Sequence, residues 1–343
     1  MKRLACAILG AALAVHGWVA AAAEVPELRI PKGAGGIAFL PLLVMEKQKS
    51  IEKHATELGH KTLKVSYVNL GGASVAIDAL LSGATHLHAA GPPSFLFLWD
   101  RTRGATDVTG IAAMTSLPGY LNTTSPNIKS LLDVTEKDKI ALNGVKVSIP
   151  AIIMQMVARK EFGPKETFRY DKYTVSMSHP DGLAAFLSGA GEINLHFTSV
   201  SFHAREIKDP RVRTILSSDD VMGGSTSFTM LSATRKFREE NPVTYKAILR
   251  GLKDAIDYIN KDKRGAAQIY FDSIGGKGET LDEIIAALND PKNVMTLAPQ
   301  NTLKYAQFMH EIGSLKHRAN SWKDLFFPDI HDLPGSKHVE PPG

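Results

Sequence analysis

The chain of 343 residues contains one cysteine, Cys6. It lies in a stretch with the marks of a secretory leader: Lys2 and Arg3, an apolar run from Leu4 to Val19, then Ala21-Ala22-Ala23 ahead of Glu24. His16 and the polar sequence that follows argue against a retained anchor. Cys6 comes too early for lipid attachment, with no apolar stretch ahead of it. Read as a signal peptide, residues 1–23 leave a mature chain without a thiol, which excludes disulfides and cysteine nucleophiles. Beyond Glu24 no run is long and apolar enough to span a membrane. Block-like basic sequence is also missing, which speaks against nucleic acid; loss of Lys2 and Arg3 lowers the formal charge from +5 to about +3. Neither G-x-S-x-G nor H-E-x-x-H occurs. Without disulfides the chain depends on its core, and its length suits two lobes.

What the sequence does contain is alternation. Leu28 and Ile30 mark a strand, Gly33-Ala34-Gly35-Gly36 a turn, and Phe39 to Ile51 a helix. Leu63, Val65 and Tyr67 recur with the period of a half-buried strand. A helix follows with Ile77, Leu80 and Leu81 on one side, ended by Gly83, and then the short strand of "THLHAAG". Strands are also expected at Asp107–Ser116, Val145–Pro150, Phe168–Met177 and Val221–Ser232. The helix "AIIMQMVARKEFG" lies between the second and third of these. Ser178-His179-Pro180-Asp181 reads as a helix start, with Ser178 capping and Pro180 in the first turn. From Pro242 onward the pattern turns helical, with Ile248, Leu252, Ile256 and Ile259 at helical spacing. The Pro- and Gly-rich tail from about residue 331 is expected to be disordered.

One stretch is written twice. "DALLSGATHLHAAG" (78–91) and "AAFLSGAGEINLHF" (184–197) share a helix end, a Ser-Gly break and a Leu-His strand, with a small insertion at Gly191-Glu192. A single echo points to two similar halves, not a solenoid. Each half leaves loops and helix N-termini at the carboxyl edge of its sheet, where open α/β sheets place ligands. Two such edges face to face make a cleft that closes by hinge bending.

"LRIPKGAGGIAFLPLLVMEK", "GGASVAIDALLSGATHLHAAGPPS" and "LAAFLSGAGEINLHFTSVSF", in that order behind a leader, resemble the periplasmic solute-binding proteins of ABC importers for nitrate, alkanesulfonates, taurine and thiamine-pyrimidine precursors. The resemblance runs from Leu28 to about Ile259. It implies an α/β, two-lobed periplasmic-binding-protein-like fold, each lobe a mostly parallel sheet flanked by helices. Lobe one would be residues 24–114 and 224–343 and lobe two 115–223, with the strands Asp107–Ser116 and Val221–Ser232 as hinges. Implied partners are a small-molecule ligand, an ABC permease and its cytoplasmic ATPase. The resemblance further implies a monomer in the periplasm with no cofactor, no catalytic residues and no nucleic acid.

Candidate ligand residues follow from the same placement. Gly35 and Gly36 either let backbone amides approach a ligand or simply form a turn; Phe39 either caps the ligand or belongs to the core. Gly72-Ala73-Ser74 begins a helix, where free N–H groups favour a polar or anionic group and Ser74 also suits capping. Gly91-Pro92-Pro93-Ser94 makes a rigid rim or terminates its strand. Thr115 and Ser116 fall at the hinge, and Thr198 and Ser199 offer hydroxyls from the opposite wall. Where the family often has a small polar run that holds an anion, this chain has Ser148-Ile149-Pro150-Ala151-Ile152-Ile153, mostly apolar. No arginine reaches these loops, and Lys32 stands beside the first turn, so an organic, partly apolar solute is favoured over a small oxyanion.

Two rival chemistries draw on other residues. His86 and His88 alternate on one strand and His196 echoes them, but two histidines leave a metal's ligand set incomplete, and His203 is not positioned to help. Asp78, Asp181 and Glu192 fall near the cleft, yet Asp78 fits the solvent face of its helix and Asp181 a helix first turn. A relative within the resemblance makes a thiamine precursor from its own histidine, with an iron-binding cysteine cluster that this chain lacks.

Overall fold

A computed structural model describes residues 23–33, 35–189 and 192–335; apart from Ala23, the expected leader, with Cys6, lies outside the described residues. Its strands, in chain order, are β1 (Glu27–Lys32), β2 (Lys64–Asn69), β3 (His88–Ala90), β4 (Val108–Ser116), β5 (Gly119–Thr123) and β6 (Ile140–Leu142). They continue with β7 (Thr174–Ser176), β8 (Leu195–Ser199), β9 (Arg213–Ser217), β10 (Ser227–Thr234) and β11 (Val294–Met295).

The strands fall into two groups. β1 pairs with β2 in parallel, and the His86 amide donates to the Arg29 carbonyl (2.9 Å), setting β1 beside the chain that enters β3. A four-stranded sheet has the order β11-β4-β10-β3, and a five-stranded sheet the order β7-β6-β8-β5-β9. β6 runs parallel to β7 and β8, whereas the returning strands β4, β5, β9 and β10 add antiparallel pairs. Helices flank parallel-containing sheets in both groups, as the strand–helix alternation implies.

The chain leaves the first group at Leu117-Pro118, between β4 and β5, and returns through Gly223–Thr226 to β10. β4 and β10 themselves lie paired within their sheet, and every residue of β4 is buried. A strand covered on both faces reads as a continuous run of small and apolar residues, which "VTGIAAMTS" is. In the Pro242–Lys261 helix Ile248, Leu252, Ile256 and Ile259 are all buried, and Gly251 lets it approach Ser50 and Ile51 closely.

Several local expectations are corrected. No strand forms at Val145–Pro150: β6 lies earlier, Lys146 takes a left-handed φ of 68°, and the helix Ile149–Phe162 already begins behind its Ser148 cap. The alternating valines thus cross a turn and do not line a sheet face. Of Phe168–Met177 only Thr174–Ser176 is strand, after a 3-10 turn at Asp171–Tyr173. Val221 belongs to the short helix Ser218–Met222. The expected Phe39–Ile51 helix breaks at Lys49 (φ 51°) into Leu40–Gln48 and Ser50–Glu57. Leu81, placed on the apolar face, is half exposed. In the tail, His331 Nε2 meets the Phe326 carbonyl at 2.9 Å, and residues beyond 335 lie outside the described set.

Candidate functional site

The written-twice segment has a physical basis. The helices Ala73–Leu81 and His179–Ser188 each end in a serine followed by a glycine with positive φ, Gly83 at 74° and Gly189 at 64°. Only a residue without a Cβ adopts that conformation freely, so the same stop recurs. Each chain then enters a strand carrying a fully buried histidine, His88 in β3 and His196 in β8. His88 sits between Ser94 Oγ (2.8 Å) and Ser232 Oγ (3.3 Å).

The N-terminal ends of these two helices face one crevice between the sheet groups. Its first wall is built by Gly33, Gly35 and Phe39, by Leu70 to Ala73, and by Ala89 to Gly91, with Phe228 and Thr229 of β10. Asn143, Val147 to Pro150, His179 and Ser199 form the second. The walls touch. A Cβ on Gly72 would stand 2.6 Å from the Asn143 carbonyl oxygen, and the Ala73 amide donates to that oxygen at 3.2 Å. A Cβ on Gly91 would meet Ile149 Cδ1 at 2.9 Å. The Ile37 amide, following Gly36, donates to Ser201 Oγ at 3.1 Å. Across this seam the space open to the centre of a water molecule is ≈ 50 Å³.

Eight expected ligand residues line the crevice: Gly35, Phe39, Gly72, Ala73, Gly91, Ser148, Ile149 and Ser199. The other eight do not. Gly36 faces the groove at its mouth. Ser74 is exposed, one residue past the wall. Pro92 and Pro93 fill the first turn of the Pro92–Arg101 helix, and Ser94 bonds His88. Thr115 bonds Thr229 Oγ1 (2.7 Å) and Ser116 the Thr226 carbonyl (2.7 Å), so both hold β4 to the returning chain. Thr198 is buried within β8, opposite Tyr120.

His179 and Asn143 are lining residues that the sequence reading passed over. The echo itself carried the signal for His179. Matching Leu183, Phe186 and Ser188 to Ile77, Leu80 and Ser82 sets His179 against Ala73, and both are the first residue of their helix. His179 is 7 % exposed, stacks on Phe202 (5.3 Å between ring centres), and neither ring nitrogen has a partner in the chain. Burial first, and His196 second, push its pKa down to about 3, so the imidazole is neutral at ordinary pH. Ser199 Oγ and Asn143 Oδ1 are likewise buried without a partner.

Behind His179 lies a closed polar cluster. Glu206 is fully buried; its carboxylate meets His196 Nδ1 at 2.6 Å and accepts from Asn122 Nδ2 at 2.7 Å. Asn122 Oδ1 accepts from Thr214 Oγ1 (2.8 Å), and His203 stacks on Tyr120. This cluster fixes the His196 ring against which His179 packs (5.7 Å between centres). His86 takes no part: its Nδ1 accepts from the Arg29 amide and its ring lies against Phe237, so His86 and His88 do not converge. Asp78, Asp181 and Glu192 are exposed and line no part of the crevice. No described lining residue carries a formal charge; Lys32 pairs with Glu46 at 2.6 Å. Among the described residues no group of three or more His, Cys, Asp or Glu is arranged to hold a metal ion.

No family model matches this chain, and no curated protein matches it. Solved structures do. The alkanesulfonate-binding protein SsuA from Xanthomonas axonopodis pv. citri, bound to MOPS, aligns with a TM-score of 0.65 at 14% identity, over 87% of this chain and 97% of its own. The nitrate-binding protein NrtA from Synechocystis PCC 6803 gives 0.61 at 13%, over 85% and 83%. The CA3427 gene product of Candida albicans, described as having the generic periplasmic binding protein fold, gives 0.63 at 12%, over 86% and 92%. With identities this low the likeness speaks for architecture: the chain has the two-lobed α/β fold of the periplasmic binding proteins.

Proposed function

We propose that this protein is the substrate-binding subunit of an ABC importer. In this reading it captures a small organic or oxyanionic solute between two lobes, residues 24–114 with 224–343 and residues 115–223, and delivers it to a membrane permease driven by a cytoplasmic ATPase. The observation that carries the reading is the crevice itself. Its walls come from both sheet groups and meet through the Ala73–Asn143 and Ile37–Ser201 hydrogen bonds. Bonds of this kind exist only while the walls touch, so a solute contacting both walls favours the closed state by its differential affinity for it. The segments at Leu117-Pro118 and Gly223–Thr226 are the hinges, and Gly223 and Gly224, both with positive φ, suit backbone rotation there. Solved neighbours described as alkanesulfonate- and nitrate-binding proteins add support of the same kind. In this reading residues 1–23 are a secretory leader and the mature protein works as a monomer in the periplasm. No step performed by this chain itself, in the same reading, makes or breaks a covalent bond.

The experiment is a thermal-shift screen of the mature protein followed by small-angle scattering. A solute at a hundred times its Kd adds about 2.7 kcal/mol of stability, and the same solute lowers the radius of gyration. Stabilisation with unchanged scattering counts against capture by closure.

A further inference from the structure

We propose, resting on the capture reading above, that the solute is an uncharged, partly apolar molecule of amide type (an amide, urea, lactam or nitrogen heterocycle) held by His179, Ser199 and Asn143.

The helix ends at the crevice have lost part of the donors that an anion uses. A helix N-terminus binds anions through free backbone N–H groups. Here the Pro92–Arg101 helix opens with two prolines, which have no N–H. In the Ile149–Phe162 helix Pro150 removes one donor and Ser148 Oγ takes the Ala151 amide. In the His179–Ser188 helix Pro180 removes another and Ser178 Oγ takes the Asp181 amide. The Ala73 amide is committed to the Asn143 carbonyl. No lysine or arginine among the lining residues offsets these losses. An oxyanion entering this space exchanges its hydration for few backbone donors and no side-chain cation.

What remains unpaired there is neutral. His179, Ser199 Oγ and Asn143 Oδ1 are buried polar groups without partners in the chain, an arrangement that costs stability until something pairs them. A neutral imidazole offers one donor and one acceptor, a hydroxyl offers both, and the Asn143 oxygen accepts. A solute edge with an N–H beside a carbonyl or ring nitrogen matches that set. Phe39, Ile149 and Phe228 supply hydrocarbon for the rest of it.

Calorimetry with N-methylurea, uracil and 2-pyridone against nitrate and methanesulfonate tests this on the mature wild-type protein, His179→Ala and His179→Asn. The titratable group facing His179 is His196 from β8, with Glu206 behind it; Asp181, on the same helix, is exposed and bonds Ser178. The expected result is binding of at least one neutral probe, about tenfold weaker in His179→Ala and partly restored in His179→Asn. That affinity holds constant from pH 5.5 to 8. Circular dichroism shows whether each variant is folded, and Ser199→Ala provides the same reading should His179→Ala unfold. Anion binding that Gly91→Val abolishes, with no neutral probe bound, overturns the inference and leaves capture standing. Affinity that rises steeply as pH falls toward 5.5 overturns it too, because it means a charged His179. Silence from every probe also overturns it, and capture is then judged separately by scattering.

Discussion

Gly72 stands against Asn143 so closely that a single added carbon would fall 2.6 Å from the carbonyl oxygen that receives the Ala73 amide. The contact is backbone on backbone, and neither side has a flexible end to yield. The closed crevice therefore depends on the absence of a side chain at this position. Gly72 has an extended backbone (φ 169°), which alanine adopts without strain. On the proposed capture mechanism, Gly72→Ala should destabilise the closed form and leave the open fold untouched. Solute affinity should fall tenfold or more, with ligand-free unfolding in urea unchanged to within about 0.5 kcal/mol. Titration calorimetry and urea denaturation read the two effects separately.

Two ion pairs bridge the sheet groups away from the crevice, Arg159–Glu311 at 2.6 Å and Lys208–Glu283 at 2.7 Å. All four side chains are partly exposed, so each pair contributes about 0–1 kcal/mol and is screened by salt. Both exist only while the halves are together. Raising the ionic strength from about 0.05 to 0.5 M should weaken solute binding a fewfold. The double variant Glu283→Gln, Glu311→Gln should bind more weakly at low salt and lose most of that dependence.

Two buried histidines, His88 and His179, and the half-buried His203 make the fold acid-sensitive. Burial pushes His88 and His179 down to about 3 and His203 to about 4. Their pKa values are lower folded than unfolded, near 6.5, so the unfolded chain takes up protons first. Stability is fully present above about pH 6.5 and falls as pH drops toward 4, by up to about 1.4 kcal/mol per unit for each histidine. Urea denaturation at pH 7.5, 5.5 and 4.5 should show this fall. His88 is enclosed by two serine hydroxyls, and His88→Asn should flatten the slope.

Glu206 is a carboxylate with no exposure, paired with His196 and Asn122. Removing it leaves His196 Nδ1 buried and unmatched and takes from Asn122 Nδ2 one of its two partners, the other being His203 Nδ1. Glu206→Ala should cost about 3–5 kcal/mol of unfolding free energy. A loss below about 1 kcal/mol would show that water replaces the carboxylate.

Much of this architecture was legible because local rules repeat. Helical spacing located the Pro242–Lys261 core face, and the twin Ser-Gly stops marked corresponding helix ends. Of the expected ligand residues eight line the crevice, most of them read from strand ends and helix starts, Ser148 and Ile149 from the resemblance. Pairing across distance was not legible. Val145, Val147 and Ile149 alternate like a strand, but Gly144, Lys146 at positive φ and the Ser148 cap turn the chain there instead. Ser94, Thr115 and Ser116 look like site hydroxyls, yet each is spent on a partner that only folding brings near. His179 was visible as the counterpart of Ala73, and its lack of a partner became apparent only with the surrounding helices in place.

The most direct test is a crystal structure of the mature protein saturated with a solute found by thermal shift. The account predicts that solute between Gly91 and Phe228 on one side and Ser148, His179 and Ser199 on the other, with the Ala73–Asn143 bond formed. Solute resting on one wall alone, or in the wider groove between Met156 and Lys304 on another face, would contradict it.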